Sequence, residues 1–114
     1  MKPIYYIARQ HEFEEAQAIG HITPPSFNEE GFVHCSFVHQ TIRVANTYFH
    51  GQSDLLILEI DRTKLAAPVI EENLSGGADL YPHIYGILNL SAIQAVFPLP
   101  CAKDGGFELP SGIR

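Results

Sequence analysis

An α+β domain is the fold class this sequence predicts, and three observations predict it. Two segments with helical spacing, Gln10 to Ile19 and His39 to Phe49, fall in the first half of the chain. Most strand-like segments come after them, without the regular strand-helix alternation that a parallel α/β sheet requires. Leu55-Leu56-Ile57-Leu58-Glu59-Ile60-Asp61 is an almost unbroken apolar run, the mark of a central strand covered on both faces. A length of 114 residues suits one domain, so a single unit over 1–114 is expected.

Taken in order, Ile4 to Ala8 is short, aromatic and β-branched and reads as a first strand. From Gln10 to Ile19 the period changes. Phe13 and Ala16 share one helical face, Glu12, Glu14 and Glu15 load the first turn, and Gly20 stops the helix. His21 to Pro25 reads as a loop, and Ser26-x-x-Glu29 has the capping-box form for a single helical turn. Phe32 to Phe37 is expected as a strand. Val38, Ile42, Ala45 and Phe49 then recur at helical spacing up to Gly51. Leu65 to Ile70, with Pro68, reads as a turn into an edge strand, and 71–79, with Ser75-Gly76-Gly77, as a loop able to act as a lid. Tyr81 to Tyr85, Leu88 to Leu90 and Ile93 to Leu99 are short strand candidates, although Ser91 to Ala95 also fits a helical turn. Phe107 to Leu109 would add an edge strand after the turn signal Lys103-Asp104-Gly105-Gly106.

Composition excludes several classes of partner. Thirteen acids against seven bases give a formal net charge of −6, which disfavours non-specific nucleic-acid or anionic-membrane binding. Arg9, Arg43 and Arg62 are the scattered candidates for a local basic pocket. Cys35 and Cys101 lack CxxC spacing, so free thiols in a reducing, cytoplasmic setting are expected. Met1 to Ile7 lacks the pattern of a signal peptide, and no apolar run approaches the roughly 20 residues of a membrane helix.

The stretch with chemical potential is Gly31-Phe32-Val33-His34-Cys35-Ser36. Strand alternation would set Val33, Cys35 and Phe37 on one face, as core, and Phe32, His34 and Ser36 on the other, as a cleft floor. A second histidine, in Tyr81-Pro82-His83-Ile84-Tyr85-Gly86, has the same setting among aromatics, and the two stretches are expected to meet. Either imidazole could serve as general acid, general base or ligand donor, the alternative being a histidine hydrogen-bonded within the core. Cys35 points away from His34 and reads as a small core hydrophobe. Ser36 lacks the GxSxG elbow of a hydrolase nucleophile. His34, His39 and His83, with Glu59 or Asp61, could be assembled into a metal site, but their spacing matches no familiar pattern, and no metal is assigned. GxGxxG and Walker loops are absent. Tyr5, Tyr6, Tyr81 and Tyr85 either fill the core or stack on a planar ligand ring.

In its motifs the chain resembles the small bacterial family of unknown function DUF952. The likeness runs through Ile4-Tyr5-Tyr6-Ile7, Glu29-Glu30-Gly31-Phe32-Val33-His34-Cys35-Ser36, Val44-Ala45-Asn46-Thr47-Tyr48-Phe49, Leu58-Glu59-Ile60-Asp61 and Tyr81-Pro82-His83-Ile84-Tyr85-Gly86-Ile87-Leu88-Asn89-Leu90. The resemblance implies an ADP-ribosylation-like split, curved β-sandwich with two main helices near the N-terminal half. It implies a cleft for an NAD, ADP-ribose-like or phosphorylated ribose ligand, and no required cofactor. His34 and His83 match the family motifs, whereas Tyr6 stands where the first-strand motif carries histidine. The glutamate of many ADP-ribosyltransferases has no clear counterpart.

The site implied has His34 and His83 as catalytic residues and Tyr6, Ser36 and Tyr85 as ligand-binding residues. It would polarise a glycosidic or phosphoryl bond by positioning and hydrogen bonding. A transferase or hydrolase is one reading; a non-catalytic ligand-binding or interaction domain on the same fold is the other. In either case alanine at His34 or His83 is expected to abolish binding and to leave the melting temperature nearly unchanged.

Overall fold

The computed structural model describes residues 1–24, 26–74 and 76–113. Its elements are β1 (Ile4–Arg9), α1 (Gln10–Ile19), β2 (His21–Ile22), α2 (Phe27–Glu30), β3 (Val33–His34), α3 (Val38–Tyr48), β4 (Leu55–Ile60), β5 (Val69–Glu72), β6 (Tyr81–Ile84), β7 (Leu88–Asn89) and β8 (Ile93–Leu99). Short 3-10 turns occupy Arg62–Lys64 and Leu90–Ala92. The class is α+β, with antiparallel sheets in the orders β1-β4-β8, β2-β7 and β3-β6-β5.

The apolar run forms β4, and its place between β1 and β8 explains its composition. Leu56, Leu58 and Ile60 enter one core with Ile4, Tyr6, Ala8, Val33, Cys35 and Ala16 of α1. Leu55 and Ile57 enter a second core with Tyr5, Ile7, Leu99, Phe107 and Ala45 of α3. With one helix over each face of the sheet, both sets of alternating side chains are buried and the two-residue period disappears. Helix α1 starts where the Gln10 N–H donates to the Asp54 carbonyl at 2.8 Å. It ends at Gly20, whose φ of 92° suits a residue without a Cβ.

The passage from β3 to α3 sets the position of the candidate site residues. Val33 and His34 pair with β6, and the Cys35 N–H still donates to the Pro82 carbonyl at 3.0 Å. At Ser36 the chain changes sheet and exchanges two backbone hydrogen bonds with Tyr5 of β1, at 2.8 and 2.9 Å. The expected strand over Phe32 to Phe37 is therefore a two-residue strand followed by a single bridge. The first turn of α3 cuts it short: Phe37 N–H donates to Gln40 Oε1 at 3.0 Å, and Thr41 Oγ1 donates to the Phe37 carbonyl at 2.9 Å.

Other expectations are corrected in the same way. His21 and Ile22, expected in a loop, form β2 against β7. Glu71 and Glu72, expected in the loop to Asp79, belong to β5, the edge strand beside β6. Phe107 joins no strand; its N–H donates to Asn46 Oδ1 at 2.9 Å, and its ring is buried in the second core. Ser26 precedes the expected helical turn but makes no side-chain cap bond. The loop residues Pro25 and Ser75 lie outside the described residues. Cys35 and Cys101 are free, and burial pushes the Cys35 thiol up. Among the described residues no helix is long and apolar enough to cross a membrane.

Candidate functional site

Antiparallel pairing of β3 with β6 sets His34 directly opposite His83. Opposed residues project to the same face of a sheet, so the two imidazoles meet, with centroids 5.1 Å apart and planes at 77°. Each ring is held by a carboxylate. His34 Nε2 lies 2.9 Å from Glu30 Oε2, and His83 Nδ1 lies 2.8 Å from Glu72 Oε2. The Tyr85 hydroxyl donates to the same Glu72 oxygen. Phe32 ties the group together, stacked on His83 at 4.3 Å, edge-on to His34 at 4.7 Å and tilted against Tyr85 at 5.2 Å.

Local structure explains how the carboxylates arrive. Glu30 closes α2 four residues before His34, and Gly31, at φ 81°, turns the chain from helix into strand between them. Glu72 comes from β5, the neighbour of β6, where it pairs with Tyr81. The two histidines differ in access. The side chain of His34 is 55% exposed, whereas that of His83 is 6% exposed, beneath Phe32.

The charges of the carboxylates fix the proton positions. The Tyr85 hydroxyl, and after it His83, hold the Glu72 carboxyl below its usual range, and the hydrogen bond from His34 does the same for Glu30. Glu72 in turn raises the Tyr85 phenol. An ionised carboxylate only accepts, so the facing nitrogens, His83 Nδ1 and His34 Nε2, are the ones that carry N–H. The other nitrogen of each ring is left to act as base or, when protonated, as donor.

A pH dependence follows from the lowered carboxyl groups. Such a group binds its proton more weakly when folded, so its stabilisation is present above the unfolded-state pKa of about 4.3 for Glu and fades as the pH falls through the lower folded value. Stability should therefore fall on acidification below about pH 4.3, and replacing Glu72 by glutamine should flatten that fall. Chemical denaturation at a series of pH values measures it; an unaltered slope in the variant would remove Glu72 from the linkage.

Residues 7–96 match a family model whose description is Protein of unknown function (DUF952). The chain belongs to this family. The DUF952 match spans Glu30, His34, Glu72, His83 and Tyr85 and starts just after Tyr6. Solved structures of the protein CC0527 from Caulobacter crescentus are similar throughout. A crystal structure is 28% identical, covers 95% of each chain and superposes with a TM-score of 0.85. The solution NMR structure is 30% identical, covers 93% of this chain and 91% of the other, and gives 0.80. No curated protein matches the chain.

Of the five residues expected at this DUF952 site, the structure brings together His34, His83 and Tyr85. Tyr6 and Ser36 have partners of their own. Tyr6 is buried in the first core, where its hydroxyl donates to Glu12 Oε2 at 2.8 Å, and burial, followed by Glu12, pushes its phenol up. Ser36 is buried with its Oγ 2.8 Å from Thr41 Oγ1. The remaining candidates for a metal set are dispersed: Glu59 accepts from Tyr5 and Gln94, Asp61 caps the turn at Thr63, and His39 stacks on Phe37. Among the described residues no group of three or more His, Cys, Asp or Glu side chains is arranged to hold a metal ion. Two surface hollows, of about 520 Å³ at Arg9, His11 and Asp54 and about 200 Å³ at Arg62 and Val69, include neither histidine of the pair. The pair lies on the face of the β3-β6-β5 sheet.

Sequence reasoning set Phe32 on the face of His34, as found, and missed Glu30 and Glu72. Glu30 had a local signal, four residues before a histidine with a helix-stopping glycine between. Glu72 had none, since only the β5–β6 register brings it to His83.

Proposed function

We propose that this DUF952 chain binds an NAD, ADP-ribose-like or phosphorylated ribose ligand on the His34–His83 face and acts on it by acid–base chemistry. The observation that carries this reading is the cross-strand imidazole pair with one carboxylate behind each ring. A carboxylate behind an imidazole fixes its tautomer and supports its protonated form, an arrangement suited to proton transfer at the opposite nitrogen. His34, being exposed, makes the contact: as neutral base it accepts a proton from a ribose hydroxyl or water, and as imidazolium it donates to a phosphate oxygen. His83, recessed and gripped by Glu72 and Phe32, is the positioning partner. The attacking group is a ligand hydroxyl or water, because Ser36 is engaged with Thr41 and the Cys35 thiol is buried.

The split sheet is in keeping with an ADP-ribosyltransferase-like fold, since the segment from Val33 to Ser36 passes from pairing with β6 to pairing with β1 and joins two sheets through one short stretch. Glu30 and Glu72 together oppose an anion, so a phosphate on this face depends on hydrogen bonds from the imidazoles to offset the two carboxylates. A second reading, ligand binding without turnover, is favoured by the Phe32 ring over His83, which leaves one imidazole rather than two open to a substrate.

Incubation with NAD, followed by mass spectrometry for released nicotinamide or self-modification, tests the reading, with calorimetry alongside. Turnover that disappears in His34→Ala supports catalysis; saturable binding without turnover assigns the second reading. Failure of NAD, ADP-ribose and ribose phosphates alike to bind would overturn both.

A further inference from the structure

We infer that the surface hollow between β1, α1 and the start of β4 binds a free amino acid as its zwitterion, the carboxylate on Arg9 and the ammonium on Asp54. The hollow, of about 520 Å³, shares no lining residue with the His34–His83 face, so the inference stands apart from the function proposed above. Its charged lining is Arg9, Glu14 and Asp54, with His11, Gln52 and Ser53 beside them. Of the three arginines singled out in the sequence, Arg43 is paired with Asp79 and Arg62 with Glu71. Arg9 has no carboxylate partner among the described residues; its guanidinium lies over the Phe49 ring, 5.5 Å from the centroid.

An exposed arginine alone is ordinary. What distinguishes this hollow is that it holds both signs of charge and leaves them unpaired with each other. Local structure keeps them apart. Arg9 is the register partner of Leu55 and projects with it toward α3, where the Phe49 ring takes the guanidinium. Asp54, the residue before Leu55, is fixed by its own backbone: its φ is 59°, and its carbonyl accepts from the Gln10 N–H at 2.8 Å. Because Arg9 sits opposite the next residue after Asp54, one small molecule reaches both side chains. The signs then select the ligand. A plain anion on Arg9 would face the two carboxylates, and a plain cation on the carboxylates would face Arg9, whereas a zwitterion meets an opposite charge at each end. Glu14 already accepts from Gln10 Nε2 at 3.2 Å, so Asp54, which has no side-chain partner among the described residues, is the carboxylate left for the ammonium. The Arg9 fork suits a carboxylate in bidentate form.

Backbone-amide NMR titration with L-alanine, propionate and ethylamine tests this on wild type, Arg9→Gln, Arg9→Lys and Asp54→Asn. Propionate lacks the amine of alanine and ethylamine lacks its carboxylate. Alanine is expected to shift the amides of Gln52 and Ser53 and to bind about tenfold more tightly than either one-ended analogue, the size of effect one charge-assisted hydrogen bond supplies. Arg9→Gln should bring alanine down to the affinity of ethylamine, with Arg9→Lys between it and wild type, since lysine keeps the charge and loses the fork. Asp54→Asn should bring alanine down to the affinity of propionate; asparagine adopts the left-handed backbone as aspartate does, so the fold is retained. Equal affinities for the three probes, alanine binding that the Arg9 and Asp54 variants leave unaltered, or no saturable shift with alanine would each overturn the inference. The NAD and ADP-ribose experiments concern the other face, so either reading can fail while the other stands.

Discussion

Ile57→Ala is expected to lower the unfolding free energy by about 2–5 kcal/mol. Ile57 is fully buried at the middle of β4, between Ile7 of β1 and Phe97 of β8, and it faces the core shared with α3. The truncation loses the transfer free energy of the deleted methyl and methylene groups and leaves a cavity that two fixed strands cannot close. Urea unfolding with unchanged m-value reads the loss. Val96→Ala, on the exposed side of the edge strand β8, is the control and should stay within about 0.5 kcal/mol of wild type. Comparable losses at the two positions would mean that β4 is not the strand around which both cores pack.

His83→Ala and His34→Ala should both remove ligand binding and should differ in stability. From the sequence the two residues are equivalent; the structure separates them. His83 supports the stacked Phe32 ring beneath the surface and supplies a donor to the part-buried Glu72 carboxylate. Alanine there leaves a cavity and a carboxylate with Tyr85 as its remaining donor in the group, at a cost of about 2–4 kcal/mol. The pairing of His34 with Glu30 is exposed, and such pairs contribute about 0–1 kcal/mol, so His34→Ala should retain nearly the wild-type melting temperature. His34→Ala is thus the variant that reports on function alone. A large loss of stability in His34→Ala would make that histidine structural.

The sequence discloses elements wherever a run is long enough to carry a period. Helices α1 and α3 and the buried strand β4 fall where their spacing places them, within about two residues at each end. Strand β7 falls within the expected Leu88 to Leu90, whereas its two-residue partner β2 carries no period and exists because β7 meets the chain as it leaves α1. Alternation named His34 and an aromatic setting named His83, and the two stretches meet as expected, but the ladder register that sets the rings directly opposite is not displayed by a single sequence. Tyr6 and Ser36 show the limit of local rules. Alternation would put Ser36 beside His34, yet the onset of α3 ends the strand between them and turns the hydroxyl to Thr41. Tyr6 faces α1, because the side of β1 that carries Ile4 and Ala8 packs into the first core.

The ring resonances of the six histidines, followed by NMR during titration with ADP-ribose, test the His34–His83 face most directly. Signals of His34 and His83 should move together and saturate at one concentration, while those of His11, His21, His39 and His50 stay in place. Saturable binding that leaves the His34 and His83 signals unmoved would place the ligand elsewhere on the molecule and contradict the assignment of this face as the functional site.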